Sequence, residues 1–83
     1  MTYELPCLDN RKSFYNKAKV REENGNKELI SYVTTVCSID SNGGFHRLWD
    51  GYSATTMRHV NSFRMMNGLK AISKGEWDEL EVE

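Results

Sequence analysis

The chain has 83 residues, of which 39% are hydrophobic and 28% are charged, and its formal net charge is −1. This length allows one domain, residues 1–83, and the composition is too apolar for a disordered chain. The charge is uneven: residues 75–83 carry five acidic and no basic side chains, whereas residues 1–74 have a net charge of +4. Such an acidic end is typical of a solvated tail, or of one that shields a basic body from nucleic acid.

The cysteines and the N-terminus indicate the compartment. Cys7 and Cys37 show neither a disulfide-framework spacing nor a CxxC motif, so two free thiols in a reducing environment are expected. The start Met-Thr-Tyr-Glu-Leu-Pro lacks the basic and apolar stretches of a signal peptide. No segment approaches the roughly 20 apolar residues of a membrane span. We expect a cytoplasmic protein that does not contact membranes.

The first half of the chain has the patterns of a sheet. Residues 1–13 lack periodicity and are predicted to form an irregular N-terminal arm. Residues 14–23 alternate between apolar and basic side chains, which predicts a half-buried strand, and Asn24-Gly25-Asn26 is a strong turn signal. Residues 28–39 are rich in β-branched and aromatic types, and we expect one central strand with both faces covered, including Tyr32 and Val33.

The second half of the chain has the patterns of a third strand and two helices. Residues 45–49 follow the turn cluster 40–44 and predict a short strand. Ser53 is a suitable N-cap for a helix that Gly68 ends, and Ser73 with Glu76 matches a capping box for a short helix to about Leu80. The predicted fold is α+β: a three-stranded antiparallel β-meander packed against one main α-helix, with a short C-terminal helix. Residues 14–68 form this β-β-β-α core, and residues 69–83 form the short helix and the acidic tail.

Catalytic and metal chemistry find little support in the sequence. The residues that could bind zinc are Cys7, Cys37, His46 and His59, and their spacing matches no zinc-finger pattern. Cys37 is expected to be buried and inert, and His59 to be hydrogen-bonded to the sheet at the edge of the core. His46 lies on a short strand, where no local carboxylate partner is expected for it. No catalytic residue, metal or cofactor is therefore assigned, and we expect a protein that is not an enzyme.

A basic strand face would favour DNA as a partner. A sheet that packs a helix on one side can present its other side to the major groove of DNA. The residues expected on such a face are Tyr15, Lys17, Lys19, Arg21 and Arg47. The overall net charge argues against this alternative, because DNA affinity depends on neutralising phosphates.

The outward face of the main helix favours a protein as the partner. At 100° per residue, Thr56, Val60 and Phe63 share the side that faces the core, with Met57 and His59 flanking it. The opposite side carries Arg58, Asn61, Ser62 and Met65, with Arg64 nearby. Exposed methionine beside arginine is typical of protein interfaces. A protein partner is therefore the main hypothesis, and an exposed edge strand could also pair two copies of the chain.

Two segments carry a resemblance to a known group of proteins. They are Ser31-Tyr-Val-Thr-Thr-Val36 and Trp49-Asp-Gly-Tyr52-Ser-Ala-Thr-Thr56-Met-Arg-His59. They resemble the pattern SYxTxV followed by W-x-x-YSxTT-x-RH-x-x-x-F, found in small proteins of unassigned activity from phages, prophages and plasmids of Gram-positive bacteria. The resemblance covers roughly residues 13–65.

The resemblance and the small size together imply an accessory protein of a phage or other mobile element. Such a protein would bind and occlude a host or defence protein, as small anti-CRISPR inhibitors do. The residues expected to bind the partner are Arg58, Asn61, Arg64, Met65, Trp49 and Tyr52. The alternative is a small DNA-binding module that uses the basic face of its sheet.

Overall fold

The computed structural model describes residues 1–8, 14 and 16–83, and it confirms the α+β class. Within these residues, five antiparallel strands form one sheet in the order β1-β2-β3-β4-β5. The elements are β1 (Thr2–Glu4), β2 (Ala18–Glu23), β3 (Asn26–Ser31), β4 (Thr34–Ile39), β5 (Phe45–Arg47), α1 (Ala54–Met66) and α2 (Lys74–Glu79).

The sheet has two strands more than the three-stranded meander that was predicted. Residues 28–39 are not one strand, because the chain turns at Tyr32 and Val33 and pairs β3 with β4. The N-terminal arm is not wholly irregular either, since Tyr3 pairs with Val20 of β2. Both differences arise from pairing between strands, which a pattern within one segment does not reveal.

The predicted turns and caps are confirmed. Asn24 and Gly25 adopt φ values of 53° and 84° between β2 and β3, as expected of a tight hairpin turn. The Ser53 side chain accepts a hydrogen bond from the Thr56 backbone N–H at 3.0 Å, and Gly68 has a φ of 82° after α1. The capping box at the start of α2 is present, and Trp77 of α2 is buried.

The helices cover one face of the sheet, and the core lies between the two layers. Its largest fully buried side chains include Phe63 of α1, Trp77 of α2 and Leu29 of β3. The predicted inward side of α1 is confirmed, but Ser62, expected to face outward, is fully buried. The Leu8 backbone N–H donates to the Ser62 hydroxyl at 3.3 Å, so the N-terminal segment covers this part of the helix.

The sequence suggested that Arg47 lies on the outer face of the sheet, but its side chain lies in the core. It pairs with the buried Cys37 across β4 and β5, so both side chains point to the helical layer. Its guanidinium donates 2.8 Å hydrogen bonds to the carbonyls of Trp49 and Trp77 and stacks over the Trp77 ring at 4.4 Å. Arg47 therefore joins the sheet edge to α2.

Candidate functional site

The turn between β3 and β4 exposes two apolar residues. Tyr32 is 54% and Val33 is 95% solvent-exposed, and we call these two residues the hairpin tip. The prediction that both lie within a covered strand was therefore wrong. The pairing of Ser31 with Thr34 leaves only these two residues to reverse the chain. The expected strand of twelve residues was twice the usual length, and this was the signal that could have revealed the turn.

The backbone of the hairpin tip is in an unusual conformation. Tyr32 has a φ of 57°, in the left-handed region where glycine or asparagine is normally found. A bulky residue there costs about 1–3 kcal/mol unless its surroundings hold it in place. The Tyr32 backbone N–H donates to the Lys17 carbonyl at 2.6 Å, which holds the turn against the chain just before β2.

A buried polar cluster supports the hairpin tip from below. Ser31 Oγ lies 2.8 Å from His59 Nδ1 and 3.2 Å from Thr56 Oγ1. The rings of Phe14 and Tyr32 pack against the His59 ring, with centroids at 4.5 and 5.9 Å. This confirms the prediction that His59 is a core-edge histidine hydrogen-bonded to the sheet. These contacts therefore hold the hairpin tip in position against α1.

The junction between β5 and α1 places two more aromatic rings beside the turn. The Trp49 backbone N–H donates to the Val36 carbonyl at 3.1 Å, which fixes the segment against β4. The Trp49 ring lies directly against Gly51, where an added Cβ would come within 2.3 Å of the ring. Only glycine fits there. Tyr52 follows and is 42% exposed.

These two segments meet at one open groove with a volume of about 230 Å³, which we call the aromatic groove. None of its lining residues is charged. Its rings are Tyr32, Trp49 and Tyr52, and its other lining residues are Ser31, Thr34, Val36, Ser53 and Thr56. The groove thus gathers most of the SYxTxV and W-x-x-YSxTT residues, which the sequence separates by more than a dozen positions.

The other residues predicted to bind a protein lie elsewhere. Asn61 is engaged inside the molecule, since it donates to the Ile72 carbonyl at 3.0 Å and accepts from the Ile72 N–H at 2.8 Å. Arg64 donates to the Lys70 carbonyl at 2.8 Å and covers the Phe45 ring at 4.5 Å. Both hold the segment after α1 in place.

Arg58 and Met65 lie along a second depression on α1. Arg58 stacks over the Phe14 ring at 5.0 Å and approaches Cys7 Sγ at 3.6 Å, while Met65 is 38% exposed. The depression also includes Asn61 and Ala71. The predicted patch is therefore divided, with Trp49 and Tyr52 in the aromatic groove and these residues on the helix.

The basic strand face carries compensating acidic residues. Lys17, Lys19 and Arg21 are exposed, as expected. Arg21 Nε donates to Glu28 Oε1 at 2.8 Å, and Lys19 pairs across the strands with Glu4. Arg47 is absent from this face because it lies in the core, and Tyr15 lies outside the described residues.

His46 has carboxylate partners that the sequence did not indicate. Its Nε2 lies 2.7 Å from Asp40 Oδ2 and its Nδ1 lies 2.8 Å from Glu83 Oε2. The hydrogen bond to Asp40, followed by that to Glu83, raises the pKa of His46 above its ordinary value. The hydrogen bond from His46 in turn lowers the pKa of Asp40.

The cysteines are free thiols, and Cys37 is fully buried as predicted. Burial raises the pKa of the Cys37 thiol far above its ordinary value, which keeps it protonated and unreactive. In the described parts of the chain, no three His, Cys, Asp or Glu side chains converge as metal ligands would. No helix among those residues has the length and apolarity needed to cross a bilayer.

The fold and the groove define the class of the protein: a small two-layer α+β domain with an uncharged aromatic groove at one end of its sheet. The chain belongs to the DUF8033 family, a family of unknown function whose model matches residues 3–79. No curated protein and no solved structure matches it.

Proposed function

We propose that the chain is a non-catalytic protein-binding module whose contact surface is formed by the hairpin tip and the aromatic groove. The main observation that supports this proposal is the structure of the hairpin tip. Val33 is almost fully exposed at the end of a hairpin, a place usually held by polar residues, and Tyr32 beside it occupies a strained backbone conformation. Neither feature favours folding, and both are expected of a surface kept for a partner.

The composition of this surface supports the same function. Tyrosine and tryptophan are the residues most enriched at the centres of protein interfaces, where they bury large rigid surfaces at little entropic cost. Here Tyr32, Trp49 and Tyr52 line one groove next to Val33. Because the buried contacts of Ser31 hold the tip in position, little ordering would be needed on binding.

The mobile-element setting that the sequence resemblance implies suggests the partner. We infer that the module acts in the cytoplasm, where its two thiols stay reduced, and binds a host or defence protein. A projecting apolar tip suits occlusion, since it can enter a cleft on the partner and block that cleft for other ligands.

A site-specific crosslink tests this function. A photo-reactive amino acid at position 33, introduced in host cells, should capture one main protein, whereas the same group at position 19 on the outer sheet face should not. The captured protein is then purified and its affinity measured. Val33→Asp should weaken the complex at least ten-fold, because a buried apolar contact is replaced by a charge.

The matched control is Leu8→Asp, which also places a charge at an exposed apolar residue but lies outside the groove. It should leave the affinity unchanged. Met65→Asp and Arg58→Glu test the helix depression in the same assay. A complex that tolerates Val33→Asp and fails on these two would move the interface to α1 and overturn the proposed surface.

A further inference from the structure

We infer that the aromatic groove recognises an extended, proline-containing peptide segment of the partner, in the polyproline II conformation. This inference rests on the proposed protein-binding function and specifies the kind of peptide segment that the groove binds. It follows from the lining residues, from the position of the groove in the sheet and from its size.

Charge excludes one class of peptide ligand. Phosphorylated and acidic segments are recognised by clusters of arginine, and no lining residue of the groove is charged. Among the described residues, the cation stacked on a groove ring is Lys74, whose Nζ lies 5.1 Å from the Tyr52 ring centroid. That ammonium is already paired with Asp78 at 2.6 Å. The ligand therefore carries no negative charge where it enters the groove.

The sheet topology excludes a second class. A peptide that adds a strand needs a free sheet edge, because its main chain must pair with unpaired N–H and C=O groups. The groove is built at the ends of β3 and β4, and β3 has a strand on each side. β5 pairs with β4 only from Cys37 to Ile39, and the Leu48 and Trp49 N–H groups donate to the Val36 carbonyl, so Thr34 and Thr35 are the stretch of β4 with no neighbour on that side among the described residues. Two residues are too short a run to pair with an added strand.

The small volume of the groove argues against two more classes of ligand. A helix laid in a groove needs a long trough that accepts anchors at i, i+3, i+4 and i+7, which spans about 10 Å of helix. The volume of about 230 Å³ is also below the roughly 300–1,000 Å³ of typical small-molecule sites. The groove suits a few residues of an extended chain.

The rings provide what a polyproline II segment requires. Such a segment has no internal hydrogen bonds, so its carbonyls are free to accept from a partner, and its proline rings pack on flat aromatic surfaces. Tyr32, Trp49 and Tyr52 offer three such surfaces. Among the described contacts, the Trp49 indole N–H donates to no protein group, so it can donate to a peptide carbonyl. The other indole, of Trp77, already donates to the Gly51 carbonyl at 3.0 Å.

The test uses the full chain, labelled with ¹⁵N, and an oligoproline peptide of about ten residues as the probe. We expect saturable shifts of the Trp49 indole N–H and of the Thr34 and Ser53 amides. The Trp77 indole, buried in the core, is an internal reference and should move much less. A peptide of equal length made of glycine and serine is the control and should cause no saturable shift.

Two variants localise the binding. Tyr52→Ala removes an exposed ring and should weaken oligoproline binding about ten-fold or more. Trp49→Phe keeps a ring and removes the N–H, and should weaken it about five-fold, the loss expected for one hydrogen bond. Leu8→Ala should have no effect. Equal binding of both peptides, no saturable shift at millimolar oligoproline, or full affinity in Tyr52→Ala would each overturn the inference.

The failure of this inference and that of the proposed function give different results. If oligoproline does not bind but the captured partner is still lost on Val33→Asp, the proline-segment inference falls and the protein-binding function stands. If oligoproline binds in the groove but position 33 captures no partner, the occlusion function falls while the chemistry of the groove stands.

Discussion

Ser31 Oγ lies 2.8 Å from Nδ1 of His59, and this buried contact joins β3 to α1 directly beneath the hairpin tip. Thr56 Oγ1 lies 3.2 Å from the same hydroxyl, so one serine connects two positions on the helix to the sheet. Because Tyr32 follows Ser31 in the chain, the contact links the stability of the core to the position of the proposed binding surface.

We predict that Ser31→Ala lowers the free energy of unfolding by about 1–3 kcal/mol, because His59 and Thr56 each lose a buried partner. Urea denaturation at fixed pH measures the change. Ser38→Ala, on the neighbouring strand and partly exposed, should change the value by less than about 0.5 kcal/mol. Equal stability of Ser31→Ala and the wild type would show that the cluster is not important for folding.

Tyr32→Gly should separate binding from stability. Glycine adopts a φ of 57° without strain, so removing the ring should lower the free energy of unfolding by no more than about 1 kcal/mol. The same change removes one ring of the aromatic groove and should weaken the partner complex about ten-fold or more. Calorimetry and urea denaturation on one preparation measure both. A stable variant with full affinity would exclude Tyr32 from the interface.

Arg47→Leu should be among the most destabilising single changes. The side chain is buried, and its loss removes the donor to the Trp49 carbonyl and one of the two donors to the Trp77 carbonyl. We expect a loss of about 2–4 kcal/mol in the free energy of unfolding. Lys19→Leu, an exposed basic residue of β2, is the matched control and should change stability by less than about 0.5 kcal/mol. A small effect of Arg47→Leu would contradict its structural role.

The His46 contacts predict how stability varies with pH. The folded pKa of His46 is raised above its ordinary value of 6.5, so its contribution is fully present below about pH 6.5 and is lost as the pH rises through the folded pKa. The stability difference between wild type and His46→Gln should therefore shrink as the pH rises above about 6.5. An NMR titration of the His46 ring checks the direction of the shift. A difference that grows with pH would contradict it.

The contribution of Asp40 to stability has the opposite pH dependence and changes in acid. Its pKa is lowered below its ordinary value of 3.8, so its contribution is present above that value and is lost as the pH falls through the lowered pKa. The contact between Asp40 and His46 therefore contributes most to stability between roughly pH 4 and pH 6.5. Unfolding curves of the wild type and Asp40→Asn from pH 6.5 to below pH 3.8 provide the comparison, and the stability difference between them should shrink at the acid end.

The DNA-binding alternative has its own test. With Arg47 in the core, the described cations on the strand face are Lys17, Lys19 and Arg21. Three phosphate contacts would give a salt dependence of about −2.7 in log K against log salt. Lys17→Glu with Lys19→Glu should abolish any shift of duplex DNA at low salt and leave the protein complex unchanged. A wild-type protein that shifts no duplex at low salt would remove this alternative.

The sequence by itself determined the features that depend on a few neighbouring residues. The Asn24-Gly25 turn, the Ser53 cap and the Ser73–Glu76 capping box all form as their patterns predict. In each case the partners lie within three residues, so the physics is local. The inward side of α1 was predictable for a similar reason, since helical spacing alone places Val60 and Phe63 on one side.

Tertiary structure decided everything that depends on which strands pair. The turn at Tyr32 and Val33 lacks glycine, proline and asparagine, so only the pairing of β3 with β4 reveals it. The register of β5 against β4 turns Arg47 inward, and the fold brings Glu83 to His46 across 37 positions. The aromatic groove arises in the same way, from two segments that no local pattern joins. Contacts between distant segments depend on how the whole core packs, and that information is not contained in any single stretch of sequence.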